Sequence, residues 1–231
     1  MTDMISTLKS RRSFLAASGA SLGLLALPGC ASFGRFSAVD AIRRMLLLSS
    51  ERAFASLTQP GGWYDNQVFK LGLADVLGSR GGILSTILTS GLVKNALERE
   101  FANIAVEGAE RAAPLVYDAV RTIGFDNAVA LITGNPTAAT AYLRQSLGMS
   151  LVEVMVPEIG EAMRLSRDPA VAQLLNSLTG VDTPAVIASF AAEVDEAIWR
   201  EIGSEEAAIR ADPRSTNDPA IIGVLGAGSA F

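Results

Sequence analysis

The sequence predicts an all-α protein, a single globular helical bundle of about seven to nine helices. Three observations carry that expectation. Beyond residue 37, apolar residues recur at three- and four-residue spacing along most of the chain. Asn135-Pro136, Asp168-Pro169 and Asp182-Thr183-Pro184 each place a capping side chain just before a proline, where the missing N–H costs a helix nothing. The one stretch with strand character, Ala220 to Leu225, is too short and isolated to build a sheet.

In chain order, residues 31 to 37 read as a linker. Val39, Ile42, Met45 and Leu46 then mark the inner face of a helix that runs to about Leu57 and stops at Thr58-Gln59-Pro60-Gly61-Gly62. Glycines at 72, 78, 81 and 82 break the segment from Trp63 to Gly82 into loops and a short helix. A long helix follows, with Leu97, Phe101, Ile104 and Ala105 inside and Lys94, Glu98, Arg99 and Glu100 facing water. Pro114 is expected to interrupt it, so that Leu115, Val116, Ala119, Val120 and Ile123 form the inner face of a separate helix ending near Gly124. Asn135 and Asp168 start two more helices, and Thr179-Gly180 closes the second. In the helix opened by Asp182, an apolar stripe of Ile187, Phe190, Val194, Ala197 and Ile198 leaves Glu193, Asp195, Glu196 and Arg200 outside.

With 231 residues, 49% hydrophobic and 6% aromatic, the chain has apolar material for one sizeable core. Residues 1 to 29 hold Lys9, Arg11 and Arg12 against Asp3. A chain beginning at Cys30 therefore carries 16 basic and 23 acidic residues, a formal charge of −7. That balance argues against a nucleic-acid partner, because phosphate binding needs clustered positive charge. Histidine is absent, which removes the commonest general base and nitrogen metal ligand, and a single cysteine permits no intramolecular disulfide.

Phe14 to Pro28 is uncharged, mildly apolar and, at 15 residues, too short to span a bilayer comfortably. It reads as the apolar region of an export signal whose positive region is Lys9, Arg11 and Arg12. Ser10-Arg11-Arg12-Ser13-Phe14-Leu15 resembles the twin-arginine signal, with Ala16 where Lys is frequent. Leu27-Pro28-Gly29-Cys30 resembles a bacterial lipobox with Pro28 in place of a small residue, so Cys30 is the expected lipidation site and residues 1–29 the part removed. Ala31 and Ser32 lack the Asp that retains lipoproteins in the inner membrane. The expectation is a protein tethered at the periplasmic face of the envelope, in the outer rather than the inner membrane.

Two apparent catalytic motifs dissolve on inspection. Gly19-Ala20-Ser21-Leu22-Gly23 fits a nucleophile elbow but lies in the leader and has no histidine to pair with. The glycines of Ile221 to Gly228 suggest a dinucleotide loop, but such a loop needs a following helix and an acidic residue about 20 positions on. The segment reads instead as a tail that docks on the bundle or frays. No cofactor motif and no metal-ligand spacing is present. Glu153, Glu158 and Glu161 form the tightest acidic cluster and read as a solvated helix face.

Ile132-Thr133-Gly134-Asn135-Pro136-Thr137-Ala138-Ala139-Thr140-Ala141-Tyr142-Leu143-Arg144 resembles the "LTGG-x-TAAT-x-YFR" signature of the bacterial domain-of-unknown-function family 4197 (DUF4197). Leu97 to Pro114, Ala197 to Pro213 and the helix-bending Pro157 are similar to further stretches of that family, and the likeness covers roughly residues 38 to 226. The resemblance implies an exported, all-helical envelope protein and no known activity or catalytic residue.

Within this run Thr137, Thr140, Tyr142 and Arg144 are the candidate polar cluster. One reading is an anion or headgroup site built from a helix N-terminus, two hydroxyls and a guanidinium fork. The other is structural: Thr137 caps its helix, Ala138 and Ala139 allow close packing, and Arg144 pairs with an acid such as Asp118 or Glu158. The expected function is a non-enzymatic binding or structural module acting on an envelope protein or lipid. The alternatives are a carrier of an apolar ligand and, more remotely, a histidine-free enzyme using carboxylates and arginine.

Overall fold

The computed structural model describes residues 37–59, 91–169, 172 and 183–228. The leader, Cys30, the stretch from Trp63 to Gly82 and the body of the helix expected before Gly180 lie outside the described residues. Among those described there are seven α-helices and no strand. The α-helices are α1 (Ala38–Thr58), α2 (Gly91–Thr122), α3 (Ala128–Thr133), α4 (Ala138–Leu147), α5 (Ser150–Leu165), α6 (Thr183–Ala211) and α7 (Pro219–Gly228). A 3₁₀ turn, Pro213–Thr216, joins α6 to α7.

The four long helices close a ring: α1 packs on α2 and α6, and α5 completes it against the same two. Each contributes the stripe its periodicity promised. Ile42, Met45 and Leu46 of α1, Leu97, Phe101 and Ile104 of α2, Met155 and Ile159 of α5, and Val194 and Ile198 of α6 are all essentially inaccessible. Phe101 meets Phe190 edge to face, with ring centroids 5.2 Å apart, the arrangement favoured by aromatic quadrupoles. Gly108 of α2 lets α5 approach: a Cβ there would sit 3.1 Å from Ile159 Cδ1.

Two helix boundaries differ from expectation, at Pro114 and at Asn135. Pro114 does not end its helix, since α2 continues to Thr122. Its ring lies on an exposed face, where the Glu110 carbonyl that loses its N–H partner meets water. Pro157 is accommodated inside α5 in the same exposed way. Asn135 does not cap α4. Its Oδ1 accepts from Thr137 N at 2.9 Å, forming a local turn, and the helix begins only at Ala138.

The carboxy-terminal apolar run is a helix, not a strand. Ala220, Ile221, Val224 and Leu225 recur at helical spacing and are buried, and α7 docks on α1. Asp218 starts it by accepting from Ala220 N (2.8 Å) and Ile221 N (3.3 Å), and Arg44 of α1 donates to its other oxygen at 3.0 Å. One side chain thus caps α7 and ties it to the bundle. No helix among the described residues is long and apolar enough to cross a membrane.

Candidate functional site

The signature run spans the turn from α3 to α4, laid across the carboxy-terminal half of α6. Gly134 is required there. A Cβ at this position would lie 2.8 Å from Ala138 Cβ and 2.9 Å from the Ala130 carbonyl oxygen. Gly203 of α6 does the reciprocal service, since its missing Cβ leaves room for the methyl of Thr137, 3.3 Å from where that atom would be. The two glycines bring α4 close enough to α6 for polar groups to meet across the contact.

The group that meets them is Glu206, whose side chain is fully buried. Its Oε1 accepts from Ala139 N at 3.1 Å; its Oε2 accepts from Thr140 N at 2.7 Å and from Thr140 Oγ1 at 2.6 Å. Those are the unpaired N–H groups of a helix start, where the macrodipole also favours negative charge. Arg210, one turn along α6, donates to Glu206 Oε1 from Nε (2.8 Å) and Nη2 (2.7 Å). The same guanidinium reaches the Ile132 carbonyl from Nη1 (2.7 Å) and the Leu131 carbonyl from Nη2 (2.8 Å) at the end of α3. A buried ion pair on α6 therefore caps the end of α3 with its cation and the start of α4 with its anion.

The helix N-terminus does hold an anion, and the anion is the chain's own Glu206. Thr137 Oγ1 donates to Asn135 Oδ1 at 3.2 Å and makes no cap bond. The three-and-four spacing of Thr137, Thr140 and Arg144 puts them on one face of α4, whereas Tyr142 lies on another. Its hydroxyl donates to the Gly124 carbonyl at 2.7 Å and its ring packs on Phe125, centroids 5.8 Å apart. Arg144 pairs with neither Asp118 nor Glu158, which face Arg121 and Arg111. Its Nη2 contacts Glu196 Oε2 at 2.5 Å and Asp195 Oδ2 at 3.5 Å on α6.

Asp195 is not on the outside of α6 as its flanking charges suggest; the residue is 8% exposed. Burial pushes its carboxyl above the ordinary range, against the opposing pull of the Trp199 Nε1 hydrogen bond (2.9 Å) and Arg144. Trp199, Asp195, Arg144 and Glu196 thus form one chain of contacts from the core to the surface. Beside it runs an open groove of about 340 Å³ floored by Ala141, Gly203, Ser204 and Ala207, with Arg144, Glu196 and Arg200 along its wall. On the other side of the clamp a second groove of about 470 Å³ is lined by Ile132, Pro136, Ala211 and Leu225.

Glu206, Arg210 and Asp195 were missed as a constellation, although a signal existed. Ile198, Ile202, Glu206 and Ile209 follow helical spacing, so Glu206 occupies a core position and must be paired there. The acids of α5 are surface groups: Glu161 is held low by the hydrogen bond from Arg164, which together with the charge of Arg164 outweighs the opposing desolvation. No group of three or more acidic, histidine or cysteine side chains is arranged to hold a metal ion among the described residues.

Compared with known proteins, residues 32–226 match a family model described as a protein of unknown function, DUF4197. No curated protein and no solved structure matches.

Proposed function

From the premise that this chain belongs to the DUF4197 family, we propose that it is a lipid-tethered envelope protein and a non-enzymatic binding module. The observation that carries the binding reading is the use made of the signature's polar groups. Thr140, Glu206 and Arg210 are engaged in holding α3, α4 and α6 together, and what they hold in place is an open groove with charged walls. Rigid support beneath a preformed groove suits recognition, because little ordering cost remains to be met on binding.

The arrangement does not favour an enzyme. Arg144 stands beside two carboxylates, but Asp195 is buried and accepts from Trp199, which leaves Glu196 alone at the groove with no second free carboxylate to share acid–base work.

Tethering rests on the leader: Arg11 and Arg12 ahead of a short apolar run, with Cys30 directly after it. Purification of the native chain from membranes in mild detergent, with mass spectrometry of both the protein and its companions, tests both halves. The expected result is a diacylglyceryl modification at Cys30, lost in Cys30→Ser along with membrane association, and a co-purifying component displaced by Ala141→Arg. An unmodified Cys30 overturns the tether. Companions indifferent to a filled groove overturn the binding site.

A further inference from the structure

Arg144 is oriented but only partly engaged. Both of its ion-pair contacts use Nη2, and Nε and Nη1 have no partner among the described residues. Its side chain is 43% exposed where it lines the groove. Glu196 is in the same condition: Oε2 meets Arg144, Oε1 has no partner among the described residues, and the side chain is 47% exposed. Beneath them Asp195, held by Trp199, lies 3.5 Å from the same nitrogen of Arg144. The groove wall therefore presents unengaged guanidinium N–H groups and a carboxylate oxygen side by side.

Opposite charges in contact select for a ligand whose own opposite charges are a few bonds apart. An isolated anion would face Glu196 and Asp195 as well as Arg144, and an isolated cation would face Arg144 as well as Glu196. A short zwitterion meets each charge with its complement. The remaining N–H groups of Arg144 and the nearby Ser204 hydroxyl suit a tetrahedral oxyanion, and the carboxylate suits an ammonium able to donate. The small floor residues leave about 340 Å³, at the lower end of the range for small-molecule sites.

We propose that this groove binds a phosphoethanolamine group, its phosphate on an unengaged N–H of Arg144 and its ammonium on Glu196. The proposal rests on the binding-module reading and names the ligand for it. The group has two sources, a lipid headgroup facing the tethered protein or a soluble phosphoethanolamine ester.

The test is calorimetric titration of the full exported chain in non-ionic detergent with phosphoethanolamine, and in parallel with phosphocholine, ethanolamine and inorganic phosphate. Phosphoethanolamine is expected to saturate and to bind at least about tenfold more tightly than the other three. Arg144→Gln should weaken it about tenfold or more. So should Ala141→Arg, which fills the groove from an exposed position, while its thermal unfolding stays that of the parent. Short-chain phosphatidylethanolamine against short-chain phosphatidylcholine in the same micelles separates the sources: tighter binding of the former assigns the headgroup, and no gain over the free ester assigns a soluble ligand. Absence of saturation up to about 10 mM, equal binding of phosphocholine, or an unaffected Ala141→Arg variant overturns the proposal. If phosphoethanolamine fails while a co-purifying component is still displaced by Ala141→Arg, the ligand class falls and the binding module stands.

Discussion

Replacing Glu206 tests whether a single buried carboxylate organises the signature. In Glu206→Ala, the amides of Ala139 and Thr140 and the Thr140 hydroxyl lose their acceptor, and Arg210, 11% exposed at its side chain, loses its counter-charge. Removing one partner of a buried pair costs about 3–5 kcal/mol, a large part of the total stability of about 5–15 kcal/mol typical of a domain. An ordinary buried ion pair can be exchanged for two apolar side chains at little net cost. Here it cannot, because the pair also serves four backbone groups: two amides at the start of α4 and two carbonyls at the end of α3. At about 1 kcal/mol each, the Glu206→Met, Arg210→Met double variant should remain about 4 kcal/mol less stable than the parent. Urea unfolding followed by circular dichroism gives the free energies, and hydrogen exchange at Ala139 and Thr140 reports the cap directly. A double variant as stable as the parent, with those amides still protected, would refute the clamp.

Two glycines should respond in opposite senses. Gly134→Ala forces a Cβ to within 2.9 Å of the Ala130 carbonyl oxygen and should cost about 1–3 kcal/mol, whereas Gly223→Ala, with nothing within 4 Å inside α7, should gain about 0.5–1 kcal/mol; midpoints of thermal or urea unfolding decide both. The two perturbed aspartates should tilt the pH dependence of stability oppositely. Asp195 is raised by burial, so the native state holds its proton more tightly and its contribution falls as pH rises through the window above 3.8; Asp195→Asn should remove that decline. Asp218 is lowered: desolvation pushes it up, but the hydrogen bonds from Arg44, Ala220 and Ile221 together outweigh this. Its contribution is present above 3.8 and lost as pH falls through its lowered value, so Asp218→Asn should flatten the acid side of the profile.

Much of the bundle is legible from periodicity, since Ile42, Met45, Leu46, Leu97, Phe101 and Ile104 are buried as their spacing requires. The effect of a proline on its helix is less so. Pro114 and Pro157 remove an N–H, yet the consequence depends on which side of the helix the freed carbonyl faces, and only packing determines that. Ala220–Leu225 shows the same limit: six apolar residues fit a strand or a helix until α1 offers a surface on which two helical turns bury together.

The sequence by itself determined the helical class, the inner faces of the long helices, the acidic balance and the chemistry available, with no histidine and one cysteine. It also marked the run from Ile132 to Arg144 as special. What that run does was decided by tertiary structure alone, because its partners lie more than 50 residues away on α6. A helix N-terminus with two hydroxyls and an arginine looks the same in sequence whether it awaits an outside anion or meets one of its own. Glu206 and Arg210 occupy the helix ends, and that occupation moves the open chemistry one turn along α4, to the half-engaged pair of Arg144 and Glu196.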